Sequence, residues 1–133
     1  MASRSVRRTA LRKLDDSQPA HHRRDDVLGL EVALGFDFRL AGLHPKTDIG
    51  LPEVKVGLIP GWGGTQRLQR IVGPAKATEM ILTGEQITAQ QAMQLRLVNM
   101  VVPGGEVMRQ AKGLAAKIAN KSAVGTASAL TAI

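Results

Sequence analysis

The segment Ile49–Leu68, "IGLPEVKVGLIPGWGGTQRL", decides how the rest of the chain is interpreted. It places a lone acid, Glu53, directly after Pro52, and then puts four glycines before Thr65. Glycines at this density allow the backbone to adopt positive φ and to approach another group closely. The segment therefore combines one carboxylate with a tight loop. Whether the two form one site depends on the residues on either side.

The flanking sequence predicts alternating helices and strands. "LEVALGFDFRLA" is interpreted as a buried helix that leads into a strand, and "LVNMVVP" as a further strand. "DIGLPEVKVG" is strand-like around Val54 and Val56, with Pro52 indicating an edge strand or the entry to a strand. The first of the later predicted helices begins at Gly64 or Thr65 and ends at Val72. The next two cover "PAKATEMILT" and "AQQAMQLR", the latter with Thr88 as its cap. The last two cover "GEVMRQAKGLAAKIAN" and, as a frayed final helix, "SAVGTASALTAI".

Composition excludes several classes of protein. The chain has 133 residues, the size of one domain, and its 44% hydrophobic content is too high for a disordered chain. It has no cysteine, so we expect neither disulfides nor a thiolate metal site. No apolar run approaches the roughly 18 residues of a membrane span. The net charge is +7, but aromatic residues are only 2%, which disfavours a nucleic-acid-binding module that stacks on bases.

The chain divides near Val27. Residues 1–27 are polar and basic and are interpreted as a flexible tail, whereas residues 28–133 form the predicted domain. Residues 1–14 contain arginines and a lysine without any acid, and Val6, Ala10 and Leu14 are spaced four apart. This outline is also typical of an organelle transit peptide. The expected compartment is the cytoplasm, with the mitochondrial matrix as the alternative.

Two consecutive stretches carry a resemblance to a known family. "GLPEVKVGLIPGWGGTQRLQRIVG" followed by "AKATEMILTGEQITAQQAMQLRLVNMVVP" resembles the crotonase family, the enoyl-CoA hydratase/isomerase superfamily, and the match runs from about Gly29 to Ala119. "HPKTDIGLPE" is similar to the hydratase portion of the multifunctional fatty-acid oxidation alpha subunits. The resemblance implies an α/β fold, a partial crotonase ββα spiral with the start of its helical C-terminal region.

The resemblance also implies the roles of particular residues. Glu31 in "GLEVAL" and Glu53 match the two catalytic glutamates, which in the family hold a water between them. One activates the water and the other delivers a proton to the substrate α-carbon, so their environments must separate their pKa values. Leu28 occupies the position whose backbone N–H binds the thioester oxyanion. Gly61 lies where the family brings backbone close to the water, and Gly63 and Gly64 precede the helix whose N-terminus favours negative charge.

The implied reaction is hydration of a trans-2-enoyl-CoA in fatty-acid β-oxidation, with double-bond isomerisation as a further possibility. The acyl-CoA thioester is the substrate, and no metal or redox cofactor is expected. The sequence departs from the family before Glu31, because only Gly29 stands where the family has three glycines. We therefore expect impaired activity from a truncated chain, and self-association or binding to another crotonase-type chain. The alternative function is a non-catalytic crotonase-fold fragment that acts in interaction or oligomerisation.

Overall fold

The computed structural model describes residues 29–45 and 48–133. The predicted basic tail and Leu28 lie outside these described residues. Within them, the first helix, α1, occupies residues 29–33. The remaining elements are, in chain order, β1 Leu40–Leu43, a 3₁₀ helix Glu53–Val56, α2 Gly64–Val72, α3 Pro74–Thr83, α4 Ala89–Gln94, β2 Met100–Pro103, a second 3₁₀ helix Gly104–Glu106, α5 Val107–Ala119 and α6 Ala123–Ala132. None of the helices in the described part of the chain is long and apolar enough to cross a membrane.

Strands β1 and β2 pair in parallel, with Leu40 opposite Met100 and Leu43 opposite Pro103. Parallel neighbours need a long crossover, and here the crossover contains the glycine-rich loop and helices α2 to α4. Arg39 and Asn99 fix the register at the start of the pair. The Arg39 N–H donates to Asn99 Oδ1 at 2.8 Å, and the Asn99 N–H donates to the Arg39 carbonyl at 2.7 Å.

The core lies between α1, the loop after it and helices α2 to α4. Its largest fully buried apolar side chains are Leu51, Leu68, Met80 and Leu97. Truncating such a side chain to alanine typically costs about 2–5 kcal/mol, because a cavity remains. This core supports both chain segments that carry the candidate acids.

The predicted helix ends in the crossover are confirmed and have local chemical causes. Pro74 occupies the first turn of α3, where its missing N–H costs nothing, and Gly84 ends that helix at φ 62°. Thr88 forms a capping box with Gln91, in which each side chain accepts a hydrogen bond from the other residue's backbone N–H. Local sequence therefore sets the ends of these two helices.

The strand predicted around Val54 and Val56 is wrong. The segment Glu53–Val56 is a 3₁₀ helix, because Pro52 has φ −85° and ψ 12° and so turns the chain out of the extended conformation. Gly57, at φ 74°, closes the turn, and its N–H bonds back to the carbonyl of Val54. The turn aims Glu53 inward and leaves Val56 exposed.

Candidate functional site

Helix α1 carries Glu31 into the protein interior. Leu30 and Leu34 on the same side of the chain are buried in the core, and Glu31 is buried beside them with 1% of its surface exposed, whereas Val32 faces outward. A carboxylate at this depth needs hydrogen-bond donors, because burying an unpaired charge is far more costly than burying an apolar group. The glycine-rich loop supplies those donors.

Two backbone amides hold the Glu31 carboxylate. The Trp62 N–H donates to Oε1 at 3.0 Å and to Oε2 at 3.1 Å, and the Gly64 N–H donates to Oε1 at 2.6 Å. Gly64 is the first residue of α2, where backbone N–H groups lack helical partners and the helix dipole favours negative charge. The site therefore stabilises a charged carboxylate with backbone groups alone.

Glycine is required at both positions that bring α2 up to Glu31. Gly63 caps the helix at φ 91°, a conformation that side chains disfavour. A Cβ on Gly64 would lie 2.6 Å from Glu31 Oε1 and 2.9 Å from Leu51 Cδ1. Any side chain at Gly64 would therefore displace the carboxylate from its amides.

Glu53 lies in a different environment. It opens the 3₁₀ helix and is 6% exposed, and in the part of the chain that the structure describes neither of its carboxylate oxygens has a hydrogen-bond partner. Burial raises the pKa of Glu53, the negative charge of Glu31 adds to the rise, and the dipole of its own backbone N–H, which does not reach hydrogen-bond geometry, partly offsets it. The site thus holds two buried acids, one bonded to backbone amides and one with a raised pKa and no hydrogen-bond partner among the described residues.

The other predicted site residues fall into three groups. Gly64 lies against Glu31, and Gly63 precedes it as the N-cap of α2. Gly61 is exposed, its φ is not positive, and a Cβ built there would meet no atom within 4 Å among the described residues. Leu28 is outside the described residues, so its predicted oxyanion role stays a prediction.

Sequence reasoning missed the Trp62 amide. The donor is a backbone N–H, so the identity of residue 62 does not predict the hydrogen bond. The one available indication was the glycines around Trp62, which allow the backbone to approach another group closely. The indole itself is 66% exposed. It belongs to a run of exposed apolar side chains that we call the apolar loop, consisting of Val56, Leu58, Ile59 and Trp62.

Metal ligation has no candidate in this part of the protein. Across residues 29–45 and 48–133, no three or more histidine, aspartate or glutamate side chains are grouped so that they could hold a metal ion. The described residues do bring together two carboxylic acids in contrasting environments.

Known proteins resemble this chain over most of its length. Residues 28–132 match the family model described as enoyl-CoA hydratase/isomerase. An enoyl-CoA hydratase of Geobacillus kaustophilus HTA426 is 46% identical with a TM-score of 0.67, over 70% of this chain and 35% of that one. An enoyl-CoA hydratase of Bacillus anthracis is 40% identical with a TM-score of 0.70, over 74% and 38% of the two chains.

A third solved structure extends the match furthest among these three. It is a protein of Mycobacterium abscessus described as an enoyl-CoA hydratase/isomerase, 41% identical with a TM-score of 0.73 over 79% of this chain and 42% of that chain. The chain thus spans between 35% and 42% of the length of these three structures. The fold described here corresponds to part of the fold of these proteins.

Proposed function

The chain belongs to the enoyl-CoA hydratase/isomerase family, and from this premise we propose that its two buried glutamates add water to a trans-2-enoyl-CoA. The single observation that carries the proposal is the contrast between the amide-bound Glu31 and the unbonded, buried Glu53. Two acids held in environments that separate their protonation can act as base and acid in one step.

Glu31 is the proposed general base. The Trp62 and Gly64 amides donate to its carboxylate, which can accept a proton from a bound water. The water oxygen then bonds to C3 of the enoyl thioester as the C2–C3 double bond gives up its electron pair to C2. The amides keep the carboxylate in a fixed position, which lowers the entropy cost of the step.

Glu53 is the proposed general acid. Its raised pKa favours the protonated carboxyl group, which delivers its proton to C2. One water is thereby added across the double bond, with hydroxyl on C3 and hydrogen on C2. The proton taken up by Glu31 must return to Glu53, directly or through solvent, before the next turnover. A base and an acid of this kind can also move a double bond, so isomerisation is a secondary proposal.

The thioester oxygen needs hydrogen-bond donors as charge develops on it. By resemblance to the family we assign this role to the Leu28 N–H. A leucine there retains the donor but adds a side chain that would hinder close approach of the thioester. If that side chain keeps the thioester oxygen from the donor, the rate falls by about 10²–10³, the typical cost of losing one such donor. We therefore propose slow hydration by this chain alone, within fatty-acid β-oxidation. The proposed compartment, cytoplasm or mitochondrial matrix, depends on the residues before the described domain.

Hydration of crotonyl-CoA, followed through the thioester absorbance, tests the proposal. The full chain should turn over substrate, Glu53→Gln should lose nearly all of the rate, and Glu85→Gln, an exposed acid elsewhere, should match the unmodified chain. A rate that survives Glu53→Gln would exclude Glu53 as the acid. No turnover by the unmodified chain would exclude the enzymatic proposal.

A non-catalytic role is the second candidate, and the apolar loop favours it. Leu58 is 63% and Ile59 is 76% exposed, and exposed apolar clusters on a protein surface mark interaction sites. In this role the chain would bind a second copy or another crotonase-type chain through the loop. Sedimentation of the full chain at several concentrations tests it, because a monomer at all of them would contradict the proposal.

A further inference from the structure

Arg67 is bonded to the peptide group that lies between the two amides holding Glu31. Its Nη1 donates to the Trp62 carbonyl oxygen at 2.7 Å. The Trp62 N–H belongs to the preceding peptide group and the Gly64 N–H to the following one, and both donate to Glu31. Arg67 therefore holds the middle one of three consecutive peptide groups, while the outer two carry the donors.

This contact acts where the backbone is least constrained. Peptide groups are rigid planes, so only φ and ψ of Trp62 and Gly63 can turn the outer two relative to the middle one. Gly63, at φ 91°, has the widest choice of conformations. The Arg67 guanidinium lies against it, since a Cβ on Gly63 would be 2.8 Å from Nη1 and 3.1 Å from Cζ. The Arg67 backbone N–H also donates to the Gly63 carbonyl at 2.9 Å.

We propose that Arg67 is a positioning residue for Glu31. By fixing the Trp62–Gly63 peptide group, it aims the Trp62 and Gly64 amides at the Glu31 carboxylate and so holds that carboxylate in place. The catalytic consequence rests on the proposed function. The link from Arg67 through the amides to Glu31 does not, because it concerns the protein without substrate.

Arg70 provides a matched control on the same helix. It is one turn further along α2 and exposed, so Arg67→Met and Arg70→Met each remove one positive charge from α2. Only the Arg67 change removes the hydrogen bond to the Trp62 carbonyl. An effect common to both variants reports charge, and an effect confined to Arg67→Met reports the positioning contact.

The single tryptophan makes the test direct. When the full chain is labelled with ¹⁵N-tryptophan, its one backbone signal is the Trp62 amide, and the position of that signal is compared at neutral pH with and without Glu31→Gln. Glu31→Gln should change the position, because the amide donates to the Glu31 carboxylate. Arg67→Met should weaken the change at least about two-fold, since an unaimed amide no longer senses the carboxylate. Arg70→Met should leave the change intact.

If Glu31→Gln moves the Trp62 signal as far in Arg67→Met as in the unmodified chain, the proposal is overturned. If Arg67→Met does not fold, Arg67→Lys supplies the comparison, because lysine keeps the charge but lacks the planar fork of donors. The lysine variant should show a reduced response, and an unchanged response would also overturn the proposal.

Kinetics then separate this inference from the proposed function. With crotonyl-CoA, Arg67→Met should lower kcat about 10-fold and change KM less than about 2-fold, because the loss is one of orientation in the reacting state. In a Glu31→Gln background the same change should cost nothing more. An inactive chain whose Trp62 signal still responds to Arg67→Met would retain the positioning role and reject the hydratase function.

Discussion

Glu31 and Glu53 are both buried, yet Glu31 accepts hydrogen bonds from the Trp62 and Gly64 amides while the Glu53 oxygens have no partner among the described residues. The negative charge of Glu31 also contributes to raising the pKa of Glu53. Hydrogen bonds therefore stabilise the buried Glu31 carboxylate, whereas burying the Glu53 carboxylate without a partner costs free energy. Protonation of Glu53 relieves the cost, so the stability of the protein should depend on pH in a defined direction.

Stability should fall as pH rises past the range in which an ordinary glutamate titrates. Between the pKa of an unfolded-chain glutamate, about 4.3, and the raised pKa of folded Glu53, the folded chain holds a proton that the unfolded chain has lost. The free energy of unfolding therefore decreases with pH through this window. Urea unfolding at a series of pH values should show the decrease in the unmodified chain and in Glu85→Gln. It should be absent in Glu53→Gln, and an equal decrease there would refute the assignment.

Gly64→Ala should displace Glu31 and destabilise the fold. Its Cβ would lie 2.6 Å from Glu31 Oε1, and overpacking of this kind typically costs about 1–3 kcal/mol. Gly113→Ala is the control, because it lies within α5 with open space around its Cβ position. That change should stabilise by about 0.5–1 kcal/mol. The midpoint of thermal unfolding should fall in Gly64→Ala and rise in Gly113→Ala. An unchanged midpoint in Gly64→Ala would show that the loop can move to accommodate the added methyl group.

The parts of the fold that sequence could predict are those with local causes. Thr88, Pro74 and Gly84 define helix ends through their own backbone chemistry, and each lies where it was expected. The turn at Glu53–Val56 was missed, because alternating valines favour a strand only when a neighbouring strand pairs with them. That pairing is a property of the whole fold, and here Pro52 and Gly57 favour a turn instead.

Only part of the candidate site could be predicted from the sequence. The two glutamates were identified because their motifs resemble those of a known family, whereas their unequal environments depend on contacts between distant segments. The bond from the Gly64 amide to Glu31 spans 33 residues, and its donor is a backbone group that every residue except proline possesses. No feature of the sequence could show that Glu31 would be bonded and Glu53 left without a partner in the described part of the chain.

Glu31→Gln should destabilise the protein more than a typical surface change. With its oxygen at the Oε1 position the glutamine side chain can still accept from both amides, but it loses the carboxylate charge and puts an NH₂ group at the Oε2 position, against the Trp62 N–H. The NH₂ group is then a buried donor facing another donor, and an unsatisfied buried donor costs about 1–3 kcal/mol. The midpoint of urea unfolding at neutral pH measures the effect, with Glu85→Gln as the exposed control. Equal midpoints in the two variants would indicate that the amides contribute little to folding.

Replacing Leu58 and Ile59 together by serine should reduce self-association. Both side chains are largely exposed, and removing apolar surface weakens association by about 25 cal/mol per Å² of area that would be buried. Leu82→Ser on α3 is the control, since this leucine is also exposed but lies outside the apolar loop. Sedimentation velocity should show a larger loss of oligomer for the loop variant. An equal loss would mean that exposed apolar area in general, rather than this loop, drives association.

The parallel pairing of β1 with β2 has a consequence for the order of folding. It joins segments 60 residues apart, as the bond between Arg39 and Asn99 shows, whereas α2, α3 and α4 form from near neighbours. Contacts between distant residues form late, because closing a long loop costs entropy before the contact stabilises it. During synthesis, β1 leaves the ribosome well before Met100–Pro103, and its edge stays unpaired with β2 for that interval. An open strand edge is a template for pairing with other chains, so this interval is when a nascent chain is most exposed to misassembly.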